Sequence, residues 1–134
     1  TGVQLEAGQV ASDFEFLPVD VNLERCYRYY QVVANGDNYG ITAGGAYNTL
    51  KAYGVFQFKK EMRASPTIDQ VSGTNYFSFF NNGVSDNFDS FQTSIAEKQS
   101  IRFNNLQNVT LTAGHGGWFE SNNASSFLAF DGEL

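Results

Sequence analysis

Short runs of apolar and aromatic residues, separated by clusters of glycine and asparagine, are the feature that most constrains the fold of this chain. In residues 53–62, Phe56, Phe58 and Met62 fall on one side of an extended backbone and the polar Gln57 falls on the other. A hydrophobic period of two residues is typical of a strand with one buried face. The chain is therefore predicted to be built from strands rather than from long helices.

Four further runs have the same apolar or aromatic character, at residues 74–80, 101–103, 109–112 and 127–130. Turn-forming clusters lie between the runs, at residues 35–38, 44–45, 72–73, 104–105, 114–117 and 121–126. Many short strands separated by such turns predict an all-β fold, a jelly-roll-like antiparallel β-sandwich.

Two segments have some helical character. Residues 21–30 offer Asp20 or Asn22 as an N-cap, and we expect one short helix near the N-terminus that runs into a strand. The second candidate helix covers residues 94–100.

Composition excludes several classes of protein. Charged residues make up 16% of the 134 residues and aromatic residues also make up 16%, whereas disordered chains are rich in charge and poor in aromatics. The net charge of -6 argues against nucleic acid and anionic lipid as partners. No apolar run reaches the ~18–20 residues of a membrane span, so membrane insertion is not expected.

Catalytic and metal-binding chemistry finds little support in the sequence. The single cysteine, Cys26, lies in an aromatic segment and is expected to be a small buried residue. The single histidine, His115, lies among glycines and is expected to be exposed or to contact a turn. Asp86 and Asp89 form a nearby acid pair of the kind that glycoside hydrolysis needs, but residues so close in a loop are more often solvated. We predict no enzyme activity, no cofactor and no metal site.

Polar and aromatic residues in the predicted loops suggest a sugar-binding surface. Planar amides and carboxylates hydrogen-bond sugar hydroxyls, and an aromatic ring packs against the apolar face of the sugar. Asparagine also tolerates left-handed turns, and a lone tryptophan is more often part of the core, so each residue has a structural alternative. The candidate ligand-binding residues are Tyr76, Asn81, Asn82, Asp86, Asp89, Trp118, Asn122 and Asn123.

Four segments carry a family resemblance in their order along the chain. They are VQLEAG at 3–8 with ASDFE at 11–15, LERCYRYY at 23–30, MRASPT at 62–67 and FLAFDGEL at 127–134. Together they resemble the C-terminal domain of bacteriophage tail fibres and related virion receptor-binding proteins. Within the second segment, Arg25 and Arg28 are expected to be buried and to form a structural clamp with Glu24, Glu61 or Glu133.

The resemblance implies a non-catalytic attachment domain of an extracellular virion tail fibre. Its partner would be a host cell-surface glycan or other envelope receptor, and the domain would be a homotrimer. Residues 1–17 would be the tail of a preceding module or a linker, and residues 18–134 the β-sandwich head. Two alternatives stay open at this point: a structural trimerisation cap of the fibre, and a carbohydrate-binding module of a secreted enzyme.

Overall fold

The computed structural model describes residues 17–107 and 109–133, which form one helix and ten strands. The prediction for residues 1–17 therefore lies outside the described residues, apart from Leu17. The elements are α1 (Val19–Cys26), β1 (Tyr30–Asn35), β2 (Gly40–Ala46), β3 (Ala52–Gln57), β4 (Thr67–Val71), β5 (Phe77–Asn81), β6 (Val84–Phe88), β7 (Phe91–Ala96), β8 (Ser100–Asn105), β9 (Gly116–Ser121) and β10 (Phe127–Asp131).

The strands form two antiparallel sheets that curl into a half-barrel, which confirms the predicted all-β sandwich with one short helix. The smaller sheet has the order β1-β10-β4, and the larger has the order β6-β5-β9-β2-β3-β8-β7. The hairpin of β5 and β6 turns through Asn82 and Gly83, whose φ angles are +49° and +78°. Asparagine followed by glycine suits such a turn because both residues tolerate positive φ.

Phenylalanine rings fill the space between the two sheets. Phe91 lies 4.7 Å from Phe77 and 4.9 Å from Phe103, measured between ring centroids, and the Phe103 ring lies 6.0 Å from Phe130 of the smaller sheet. These four rings are at least 97% buried, and each contributes about 1.5–3 kcal/mol through the area it removes from water. The high phenylalanine content of the chain is therefore explained by its core.

The turns predicted at residues 44–45 and 104–105 were wrong, because both pairs lie inside strands, β2 and β8. Three predicted strands or helices also differ in the structure. The run at 53–62 is a strand only to Gln57, although Phe56, Phe58 and Met62 do pack into the core as their spacing predicted. Residues 94–100 are not helical but belong to β7, a turn and the start of β8. Residues 109–112 form a loop and not a strand, although the side chains of Val109 and Leu111 are buried. The amides of these two residues donate hydrogen bonds to the carbonyls of Leu50 and Thr49.

The helix α1 forms near the predicted place but begins differently. Pro18 precedes its first residue, and no side chain caps it, so the prediction that Asp20 or Asn22 caps the helix was wrong. Proline is tolerated at this position, because it lacks an amide hydrogen that would be left unpaired, and its carbonyl accepts the amide hydrogen of Asn22. In the part of the chain that is described, no helix is long and apolar enough to cross a membrane.

Residues of α1 and of the segment after it are more exposed than predicted. Cys26 is exposed rather than buried, and so are the other residues of α1. Arg25 and Arg28 are exposed as well, and the expected buried clamp does not form. Among the described residues the salt bridge is instead between Lys60 and Glu24, at 3.0 Å.

Candidate functional site

Four of the predicted ligand residues meet at the end of the larger sheet where β5 begins and β9 ends. The carbonyl of Tyr76 accepts hydrogen bonds from the amide of Asn122 at 2.8 Å and from the hydroxyl of Ser126 at 2.6 Å. Asp89 accepts the amide of Asn75 at 2.9 Å. The side-chain oxygen of Asn123 accepts a hydrogen bond from the amide of Ser125, in its own loop, at 2.9 Å. These groups hold three loops together.

Asn81, Asn82 and Asp86 lie at the hairpin between β5 and β6 and in β6 itself. Asn81 is buried, and its side-chain nitrogen has no hydrogen-bond partner among the described residues. Asn82 occupies the positive-φ turn position that asparagine tolerates. The Asp86 carboxylate accepts hydrogen bonds from the backbone amides of Thr110 and Asn87. It is therefore engaged with the backbone and does not form a catalytic pair with Asp89.

Trp118 is exposed, although a lone tryptophan is more often buried. It lies on the outer face of the larger sheet, where its ring stacks on Phe80 with the centroids 4.3 Å apart and the planes at 26°. Its indole nitrogen donates to Glu120 at 3.0 Å, and Glu120 also accepts the hydroxyl of Ser78 at 3.1 Å. These contacts fix an aromatic plate, 43% exposed, on the surface.

A cleft of about 760 Å³ opens on the same outer face, at the end of β2. We call it the β2 cleft. It lies between the β2–β3 turn and the turn that precedes β9. Its lining residues are Gly45, Ala46, Tyr47, Tyr53, Arg102, Gly114, His115 and Gly116. Of the eight predicted ligand residues, Trp118 lies nearest in sequence, two residues along β9 from the lining residue Gly116.

The floor of the β2 cleft is open because the strands there carry almost no side chains. Gly45 pairs with Gly116 on one side and with Tyr53 on the other. A Cβ added at Gly45 would meet just the carbonyl of His115, at 3.9 Å, so the space above this residue is empty. Ala43, opposite Trp118, continues this low floor along β2.

One wall of the β2 cleft consists of stacked aromatic and cationic side chains. Tyr47 is 74% exposed and meets Tyr53 edge to face, with the ring centroids 5.6 Å apart. The Arg102 guanidinium lies 5.5 Å from the centre of the Tyr53 ring. Its Nε donates to the hydroxyl of Ser94 at 3.2 Å. Each of these contacts limits the rotation of a side chain at the cleft.

The opposite wall is the turn that carries His115, which is exposed as predicted. Backbone bonds tie this turn to the end of β2: the amide of Ala46 donates to the carbonyl of His115 at 2.9 Å, and the amide of Gly114 donates to Ala46 at 2.8 Å. Gly114 has a φ of +82°, which favours glycine. Backbone bonds thus hold the turn that carries His115 at the edge of the cleft.

The β2 cleft combines rings, hydrogen-bond donors and a cation, but no carboxylate lies among its lining residues. In residues 17–107 and 109–133 no three histidine, cysteine, aspartate or glutamate side chains group as metal ligands do.

Sequence reasoning missed Tyr47, Tyr53 and Arg102 as site residues and treated His115 as structural. A signal was present in the two segments 43–46 and 113–117, which consist almost entirely of glycine and alanine and are each followed by an aromatic residue. Two such segments paired side by side make a low surface between rings. Their pairing, however, joins residues about 70 positions apart, which no local pattern reveals.

No protein-family model, curated protein or solved structure matches this chain. The geometry of the β2 cleft is therefore the basis on which a function is argued.

Proposed function

We propose that this chain is a non-catalytic recognition domain that binds a carbohydrate in the β2 cleft. The observation that carries the proposal is an open floor of glycine and alanine between exposed, fixed aromatic rings on one sheet face. A ring such as Tyr47 packs on the apolar face of a sugar, while Arg102 and His115 supply hydrogen-bond donors for its oxygens.

The ligand in this proposal is an oligosaccharide rather than a single sugar. A second shallow pocket, of about 260 Å³, continues along β2 and is lined by Ala43 and Trp118 among others. Trp118 is paired opposite Ala43, and Tyr53 opposite Gly45. From the spacing of strands and residues, the Cα atoms of Trp118 and Tyr53 are about 12 Å apart. An extended oligosaccharide lying over β2 would contact both side chains.

The biological setting in this proposal is attachment of a virion to its host. The ordered resemblance to phage tail-fibre C-terminal domains supports it, and the glycan would then be part of the host envelope. The isolated domain is expected to retain envelope polysaccharide of the host and to compete with the virion for adsorption. Failure to retain both host cells and their polysaccharide would contradict this setting.

The cleft itself is tested by Tyr47→Ala. We expect binding to a retained polysaccharide to weaken about fivefold, the loss of one stacking ring, with little change in the urea midpoint because Tyr47 is largely exposed. The matched control is Tyr29→Ala, which removes an exposed ring that lines neither the β2 cleft nor the second pocket. Equal losses in the two variants, measured by calorimetry or surface plasmon resonance, would show that the loss is not specific to the cleft and contradict the proposal.

A structural trimerisation cap is the second candidate function, and α1 is the observation that favours it. Val19 is 80% exposed and Leu23 is 48% exposed, which leaves apolar surface on a helix that buries none of its residues. Light scattering distinguishes the two. A mass three times 14.8 kDa without polysaccharide binding favours the cap, and a monomer that binds polysaccharide favours recognition, including as a module of a secreted enzyme.

A further inference from the structure

Arg102 is a cation held in position without an acidic partner. It projects from β8 on the outer face of the larger sheet, where Val55 is its paired neighbour. The Tyr53 ring lies beneath its guanidinium, and Ser94 accepts its Nε hydrogen. Across the described residues, no carboxylate pairs with Arg102 and no acceptor bonds to its two terminal nitrogens.

Arg102 shares its lack of an acidic partner with most cations of the chain, because Lys60–Glu24 is the one salt bridge within residues 17–107 and 109–133. What distinguishes Arg102 is its place: it lines the β2 cleft, and no carboxylate lies among the residues that line this cleft. Arg102 lines this cleft together with His115 and the exposed Tyr47.

We propose that the β2 cleft selects an acidic saccharide, one whose sugar ring bears a carboxylate that pairs with Arg102. This inference rests on the proposed carbohydrate-binding function and names the chemical class of its ligand. The two terminal nitrogens of a guanidinium donate in parallel to the two oxygens of a carboxylate, a geometry that lysine cannot reproduce. Ser94 and Tyr53 hold the guanidinium, so less side-chain freedom is lost when the ligand binds.

The first part of the test is the choice of saccharide. The domain is presented with immobilised carboxylate-bearing polymers (galacturonan, hyaluronan and polysialic acid), phosphate-bearing teichoic acid, and neutral galactan and dextran. We expect retention of carboxylate-bearing polymers and loss of retention when the carboxylates of the bound polymer are chemically reduced to alcohols. Retention confined to neutral or phosphate-bearing polymers would overturn the inference and leave carbohydrate binding intact. Retention of none of them, nor of host polysaccharide, would contradict the proposed function itself.

The second part assigns the selectivity to Arg102. Arg102→Gln is expected to weaken binding of the retained polymer tenfold or more, as the loss of a charge-assisted pair does. Arg63→Gln is the matched control, because Arg63 also lies over a tyrosine ring, that of Tyr29 at 5.6 Å, and its loss changes the net charge equally. A similar loss in both variants would show a general charge effect and overturn the inference.

The dependence of binding on salt concentration distinguishes pairing with a charged ligand from a structural role of Arg102. Raising sodium chloride from 0.15 to 0.5 M is expected to weaken binding by the unmodified domain, since partly exposed charges are screened. In Arg102→Gln the same change is expected to have little effect. Equal salt dependence in the two proteins would contradict pairing between Arg102 and the carboxylate.

Discussion

The two faces of the larger sheet use neighbouring residues of the same type for opposite purposes. Gly44 points inward, where an added Cβ would lie 2.5 Å from the carbonyl of Tyr53 and 3.0 Å from the Phe119 ring. Gly45, the next residue, points outward, where an added Cβ would meet nothing closer than 3.9 Å. The first glycine lets a core ring pack closely against the sheet, and the second leaves the β2 cleft open.

Phe119 and Trp118 repeat this contrast with aromatic residues. Phe119 is completely buried and touches the rings of Phe79, Phe88, Phe91 and Phe103. Trp118 is held on the outer face by Phe80 and Glu120. The inner face is thus a close-packed core, and the outer face is a surface of fixed rings with space between them. The difference predicts that inner substitutions change stability and outer ones change binding.

The largest expected effect is a difference in stability between alanine variants of Phe119 and of Trp118. Phe119→Ala leaves a cavity among the core rings and is expected to lower the free energy of unfolding by about 3–5 kcal/mol. Trp118→Ala loses one stacked pair and one exposed hydrogen bond, and is expected to cost about 1 kcal/mol. Urea unfolding of both variants measures the difference. Similar losses would show that the outer aromatic plate is part of the stabilising core.

The two glycines give the next effect in size. Gly44→Ala is expected to destabilise the fold by about 1–3 kcal/mol, because backbone and a core ring must move to admit the methyl group. Gly45→Ala is expected to change stability by less than about 0.5 kcal/mol while weakening saccharide binding, since its methyl group occupies the floor of the cleft. Unfolding and binding are measured on the same preparations. A stable Gly45→Ala variant that binds normally would move the ligand away from the floor.

The smallest effect tests a polar contact on the smaller sheet. The Tyr30 hydroxyl donates to Asp69, and burial together with this carboxylate raises the pKa of Tyr30 from 10.0 to about 12. Because the pKa in the folded state is the higher one, the protonated phenol stabilises the fold below pH 10, and this contribution is lost as the pH rises through about 12. Tyr30→Phe is expected to be less stable than the unmodified protein below pH 10.

Urea unfolding between pH 9 and pH 12 checks this prediction. The difference between the unmodified protein and Tyr30→Phe should shrink as the pH approaches 12, whereas tyrosines and lysines common to both proteins cancel in that difference. A stability difference that stays constant over the range would contradict the proposed hydrogen bond.

Local sequence patterns predicted which strands exist better than they predicted the residues at which these strands begin and end. Phe56 and Phe58 were expected to face one side, and both pack against Phe130. The strand nevertheless ends at Gln57, because pairing with β8 is soon lost: the amide of Phe58 still bonds to Gln99, but that of Lys59 bonds to the side chain of Gln31. Residues 94–100 were predicted as a possible helix. Ile95 and Ala96 instead pair with β8, and residues 97–99 form the turn between the two strands.

The candidate site was less accessible to sequence reasoning than the fold. Asparagine and aspartate in loops suggested a binding surface, yet the side chains of Asp86, Asp89, Asn122 and Asn123 bond to backbone groups of their own or of neighbouring loops. Short polar side chains stabilise turns by the same hydrogen bonds with which they would bind sugars. Composition alone cannot separate these two roles.

By itself the sequence determined the class of the fold, the inward phenylalanines and the Asn82–Gly83 turn, since these depend on the period of the strand and on local backbone preference. The tertiary structure alone decided that β9 lies between β5 and β2, and so brought His115 and Tyr47 to the same cleft and placed Trp118 opposite Ala43. Pairing between distant strands depends on how all the faces pack together. No single segment of the chain carries that information.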